Sequence, residues 1–165
     1  MKDTSKTNLC CGVVSKADDR MIVEGDIDIL VSMIGITKSL TPYYDCAMNE
    51  QLTYVQRMLF TIGSEIAGSE TKRISVEDVD KLNTKMEFIK ENIELPDDFI
   101  LPGINPLSAH IDMCRALCRT VERSIVRLYD NKKIDNEYLL KFINYLSGYL
   151  YLLARQTEHN NYDML

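Results

Sequence analysis

At 165 residues the chain has the length of one domain, enough to bury roughly two-thirds of the surface its unfolded form exposes and to fold without a covalent staple. Its 45% hydrophobic and 27% charged residues, with 7 Gly and 4 Pro, exclude disordered, collagen-like and low-complexity classes. A net charge of -6 argues against a nucleic-acid backbone as the main partner, and no apolar run approaches the ~20 residues of a membrane span, so the expected setting is the cytoplasm.

Apolar spacing reads as helix almost throughout, in one helical-bundle domain over 1–165. Residues 1–20 read as an irregular start. The first helix is expected from about Asp26 to Leu40, with Ile27, Leu30, Val31 and Ile34 inward, and the TPYY run from Thr41 breaks it. The second runs from about Met48 to Ala67, with Leu52, Val55, Leu59, Ile62 and Ile66 on one face and Gly68 as its stop. Ser75 and Asp78 form a capping-box start for a third helix to about Ile93, with Val79, Leu82, Met86, Ile89 and Ile93 inward.

Three prolines and a glycine then surround an apolar DFIL between Glu94 and Pro106, which predicts an ordered, partly buried connection holding Phe99 in place. A fourth helix follows from Pro106 to about Tyr129, with Ile111, Cys114, Cys118, Val121, Ile125 and Leu128 as its seam. Asp135 is expected to cap a fifth helix to about Thr157, with Leu139, Phe142, Ile143, Leu146, Leu150 and Leu153 inward. Such stripes bury only against one another, so the fold class is an all-α, five-helix up-and-down bundle. Tyr145, Tyr149 and Tyr151 exceed what one stripe accommodates, which points to a homo-oligomer or to a thick monomer core.

Five cysteines in a chain without a visible export signal favour reduced thiols. His110, Cys114 and Cys118 follow at four-residue steps, which allows a metal reading. Yet His110 and Cys118 stand about 12 Å apart along one helix, so small core thiols are the simpler account and no metal centre is assigned. More informative is the row Arg115, Arg119, Arg123 and Arg127, with Glu122 beside it. Like charges one turn apart repel, so the row asks either for carboxylates or for a bound anion such as a polyphosphate, which suits arginine's planar fork. Asp28, among apolar neighbours, is either exposed or paired, with Arg119 its candidate partner across the bundle or a subunit interface. Asn144 borders the fifth helix's stripe. Hydrolase and P-loop motifs have no counterpart in the sequence.

The stretches DFILPG from Asp98, CRALCRTVERSIV from Cys114 and FINYLSGYLYLLAR from Phe142, preceded by VSKADDRMIVEGDIDIL from Val14, resemble in order and spacing the propanediol-utilisation type of ATP:cob(I)alamin adenosyltransferase. The resemblance, from about Leu9 to Arg155, implies a homotrimer of ferritin-like bundles with active sites at subunit interfaces. It implies cobalamin as substrate, ATP as adenosyl donor and Mg2+ as cofactor. A reductase and an adenosylcobalamin-dependent enzyme are the implied partners.

Carried over by position, the resemblance gives Arg119, Asp28 and Phe99 catalytic roles. Arg119 would pair with Asp28 of a neighbouring subunit, and Phe99 would cover the lower corrinoid face. Lys16, Arg115, Glu122, Arg123 and Asn144 would serve the nucleotide, with Glu122 orienting the arginines or a magnesium ion. The family's opening T-x-x-G-D-x-G loop has only MKDTSKT in its place, and its double arginine is here Arg119-Thr120. A second reading is therefore a corrinoid-binding or delivery relative without nucleotide chemistry.

Overall fold

The computed structural model describes residues 4–43 and 45–162; Met1 to Asp3 of the MKDTSKT segment and Tyr44 of TPYY lie outside them. A short hairpin, β1 (Lys6–Leu9) and β2 (Gly12–Ser15), precedes five helices: α1 (Asp19–Ser39), α2 (Cys46–Ile66), α3 (Val76–Lys90), α4 (Pro106–Asp130) and α5 (Glu137–Glu158).

The hairpin corrects the irregular start expected for residues 1–20. Its antiparallel register pairs Lys6 with Ser15 and Leu9 with Gly12 around the Cys10-Cys11 turn. Four-residue strands with mostly exposed side chains leave no apolar alternation to read. The hairpin tip rests on the end of α2, where the Cys11 N–H donates to the Ala67 carbonyl at 3.0 Å. Gly68 serves both elements: its φ of +91° ends the helix, and a Cβ there would stand 2.7 Å from that of Cys11.

Helix α1 starts seven residues earlier than the sequence predicts. Asp18 is its N-cap, accepting from the Arg20 N–H, and Val23 adds a buried turn ahead of Ile27. The charged ADDR opening hides that turn. At α3 the predicted capping box of Ser75 and Asp78 is present in both directions. At α5 the cap is Asn136 and not Asp135, because the Asn136 side chain accepts the Tyr138 N–H while Asp135 turns outward to Arg73 at 2.7 Å.

Helix α4 packs between α1 and α5, α3 lies on α5, and α2 lies on α1. Cross-helix contacts fix the directions. Thr37 Oγ1 meets Cys114 Sγ at 3.4 Å, while Ser124 Oγ donates to Asp26 at 2.8 Å, so α1 and α4 run antiparallel. Arg155 on Asp112 and Cys118 beneath the Ile143 carbonyl make α4 and α5 antiparallel as well. The α3 to α4 connection therefore crosses the bundle end. Every inward position predicted on α4 and α5 is fully buried, giving the core an unbroken double seam. Tyr149 belongs to that core, edge-on to Tyr54, while Tyr145 and Tyr151 lie half-buried under Lys141 and Arg155. Tyr149 is thus accommodated within the chain, while Tyr145 and Tyr151 keep part of their surface exposed.

Candidate functional site

The connection after α3 corrects one expectation. It is tied down at one end, where Asn160 Oδ1 accepts the Glu94 N–H and the Tyr162 hydroxyl donates to the Glu94 carbonyl. Phe99 itself is 81% exposed, and Leu101 is exposed beside it. An aromatic ring left in water at an anchored loop is an offered surface. It stands at a cleft of about 540 Å³ lined also by Asp97, Asp98, Asp112, Arg115, Tyr151 and Arg155. A larger hollow of about 810 Å³ lies between Pro42, Met48, Gln51 and Gln156, and none of the predicted site residues lines it.

From this cleft the arginine row leads away along α4. Arg115 is half-buried and paired with Asp112 at 3.2 Å, whereas Arg119, Arg123 and Arg127 are exposed. Among the described residues Arg123 donates to the Thr120 hydroxyl, at 3.1 Å, and has no carboxylate partner. At 1.5 Å per residue the row from Arg115 to Arg123 covers about 12 Å. The antiparallel pairing sets Asp28 of α1 level with Glu122 and Arg123, since Asp26 meets Ser124. It likewise sets Asn144 of α5 level with Leu117, about half a turn from Arg119, since Ile143 meets Cys118.

Asp28, Arg119, Glu122, Arg123 and Asn144 therefore occupy one middle tier of the bundle. Asp28, Arg119 and Asn144 are exposed, and no ion pair joins Asp28 to Arg119 within the chain. Lys16 stands apart. It follows β2, with its N–H on the Ser5 carbonyl, and its neighbour Asp18 lies 3.6 Å from Lys133 beyond the far end of α4. The fold thus brings Arg115 to Phe99 and leaves Lys16 at the opposite end from that cleft.

Two groups escape a reading of the sequence. Beneath the cleft, fully buried Arg155 sits between Asp112, at 2.6 Å, and Glu158, at 2.8 Å. Burial works against its charge, but the two carboxylates more than offset this and hold the guanidinium above its ordinary range. On α1, Glu24 fills the space over Gly63, where a Cβ would stand 3.2 Å from its carboxylate. Desolvation, then the charge of Asp28, pushes Glu24 up to about 7. Cys114 and Cys118 lie in the core; burial raises both, Cys114 to about 11, so neither is a ready thiolate ligand.

The sequence pattern of the cobalamin adenosyltransferase family matches residues 1–157. A corrinoid adenosyltransferase of Citrobacter freundii is 28% identical over 151 residues, covering 88% of this chain and 84% of the relative. A cobalamin adenosyltransferase of Cupriavidus metallidurans is 30% identical over 142 residues, covering 86% and 76%. Among solved structures, an arginine-to-lysine variant of a PduO-type adenosyltransferase from Lactobacillus reuteri, complexed with ATP, superposes with a TM-score of 0.86 at 27% identity, covering 99% of this chain and 96% of that one. A phenylalanine-to-histidine variant of a PduO-type adenosyltransferase from the same organism, complexed with cobalamin and ATP, gives 0.84 at 26%, with the same coverage.

Proposed function

The chain belongs to the cobalamin adenosyltransferase family, and from that premise we propose that it transfers the 5'-deoxyadenosyl group of ATP to the cobalt of a reduced corrinoid. The cobalt(I) electron pair attacks the 5' carbon, the bond from that carbon to the triphosphate oxygen breaks, and adenosylcobalamin and triphosphate form. Nucleophile and leaving group belong to the substrates. The protein contributes orientation, charge neutralisation and exclusion of water.

The observation that carries the reading is a solvent-presented Phe99 at the head of a row in which Arg115 is paired with Asp112 while Arg119, Arg123 and Arg127 are exposed and have no carboxylate partner among the described residues. Phe99 is the apolar plate for the lower corrinoid face, where it excludes the axial base so that cobalt(II) is more easily reduced. Arg119 and Arg123 take charge from the departing triphosphate, Lys16 joining them from a neighbouring subunit of the proposed trimer, while Glu122 and Asn144 orient the nucleotide tier. Among the described residues no three His, Cys, Asp or Glu side chains stand together as a metal cage. Mg2+ therefore enters this reading as the counter-ion of the triphosphate, with Glu122 beside it. The non-enzymatic alternative has less support, because the related proteins above are transferases or ATP complexes.

Asp28 and Arg119 are paired across the interface of a homotrimer in this reading, supported by their exposure and by the lack of an ion pair between them within the chain. Five free thiols suit a reducing cytoplasm. Among the described residues no helix is long and apolar enough to cross a membrane. A one-electron reductase supplies the substrate state, and an adenosylcobalamin-dependent enzyme consumes the product.

Phe99→Ala tests the plate directly. With ATP present, the wild-type protein is expected to convert bound cob(II)alamin to its base-off visible spectrum. The variant is expected to leave it base-on and to lose at least about tenfold in turnover. A base-off spectrum in Phe99→Ala equal to the wild type's would refute the role.

A further inference from the structure

We propose that Asp112 is a positioning residue for corrinoid binding, acting through Arg115, which its place beside Phe99 assigns to the corrinoid and not to the nucleotide as the resemblance implies; the inference rests on the function proposed above. Asp112 is 5% exposed, and its two oxygens face two different arginines. Oδ2 accepts from Arg155 Nη2 at 2.6 Å, and Oδ1 accepts from Arg115 Nε at 3.2 Å. On its other side Arg155 is closed off by Glu158, and the Tyr151 ring lies 4.9 Å from the guanidinium carbon. Charges thus alternate along a chain running from Arg115 through Asp112 and Arg155 to Glu158.

Only the first member of that chain reaches the surface. Arg155 is 1% exposed, and its Nη2 donates to both Asp112 and Glu158, so it is an anchor and not a ligand-binding group. Arg115 spends its Nε on Asp112, and its terminal N–H groups have no partner among the described residues. Asp112 therefore fixes the fork of Arg115 with its donor edge free, at the wall of the cleft that also holds Phe99. A corrinoid ring is rimmed with acetamide and propionamide carbonyls. A planar donor held beside an apolar plate suits a macrocycle that lies on the ring and presents amide oxygens at its edge. Without Asp112 the long Arg115 side chain would be free to swing into solvent.

A purely structural role, stapling α4 to α5, predicts lower stability with unchanged substrate constants. The test therefore measures KM for cob(I)alamin and for ATP separately, and Kd for cob(II)alamin by its spectrum, in wild type, Asp112→Asn, Arg115→Gln and the double variant. Each single variant is expected to raise the corrinoid KM and Kd roughly five- to tenfold, the usual cost of one charge-assisted hydrogen bond, with the ATP KM within about twofold. The double variant is expected to be no worse than Arg115→Gln alone, because Asp112 acts through Arg115.

Unchanged corrinoid constants in Asp112→Asn, or a double variant that loses the product of the two single effects, would overturn the proposal. If Asp112→Asn does not fold, Arg115→Gln, which keeps the buried Asp112 and Arg155 pair, decides the matter by the same constants. A wild-type protein that binds cob(II)alamin without turnover would refute the transferase reading instead, and the Kd comparison would still judge Asp112.

Discussion

Glu24 illustrates how one side chain makes stability depend on pH. Its Oε1 is buried without a hydrogen-bond partner, over the gap left by Gly63. Burial and the nearby Asp28 charge lift it from an ordinary 4.5 to about 7. Between these values the folded protein holds a proton that the unfolded chain has released, so this group's contribution to stability falls as pH rises from about 4.5 to about 7 and stays low above that. Glu24→Gln is expected to abolish the fall: thermal unfolding should show similar stability for the two proteins near pH 4.5 and a more stable variant at pH 8. Parallel pH curves would contradict the assignment. At this scale the sequence revealed surface chemistry better than buried chemistry. The Arg115, Arg119 and Arg123 row is visible from spacing alone. The Arg155 to Asp112 bridge spans 43 residues and exists only once α4 and α5 are antiparallel.

Among the elements, the start of α5 shows how a small amide joins three segments. Asn136 Nδ2 donates to Glu65 Oε1 and to the Ile74 carbonyl, both at 2.8 Å, while its Oδ1 caps the helix. Asn136→Ala removes these bonds and leaves a buried acceptor, and urea unfolding is expected to show a loss of about 1–3 kcal/mol. Asp135→Ala, whose carboxylate is 88% exposed, is expected to change stability by at most about 1 kcal/mol. The reverse order would restore Asp135 as the cap. The sequence placed the cap one residue early because Asp and Asn are equally good caps, and only the buried partners on α2 and before α3 choose between them. The long stripes of α4 and α5 were legible because their period repeats over about four to five turns, from Ile111 to Leu128 and from Leu139 to Leu153. The hairpin and the first turn of α1 were not, because their apolar residues are few and their charges many.

For the whole molecule, the proposed trimer places a neighbouring subunit on the exposed face of α1. Ile22, Ile29 and Ile36 recur there every seven residues and are all at least half exposed, alongside Asp28. Such a stripe next to a carboxylate fits a neighbouring subunit that brings Arg119. Asp28→Asn is expected to weaken the proposed trimer, seen as dissociation at higher protein concentration in sedimentation velocity. Unchanged sedimentation would place the pair outside the interface. The family was legible in the ordered motifs from Asp98, Cys114 and Phe142. How those motifs share one surface depends on the antiparallel tiers, which sequence order does not display.

The most direct test of the central claim is anaerobic incubation of the purified protein with chemically reduced cob(I)alamin and ATP with Mg2+, following adenosylcobalamin by its visible spectrum and triphosphate by chromatography. The account predicts both products in equal amounts, from wild-type protein and not from protein-free controls. Binding of both substrates without a cobalt–carbon bond would contradict it, and would leave the chain a corrinoid-binding relative without transferase chemistry.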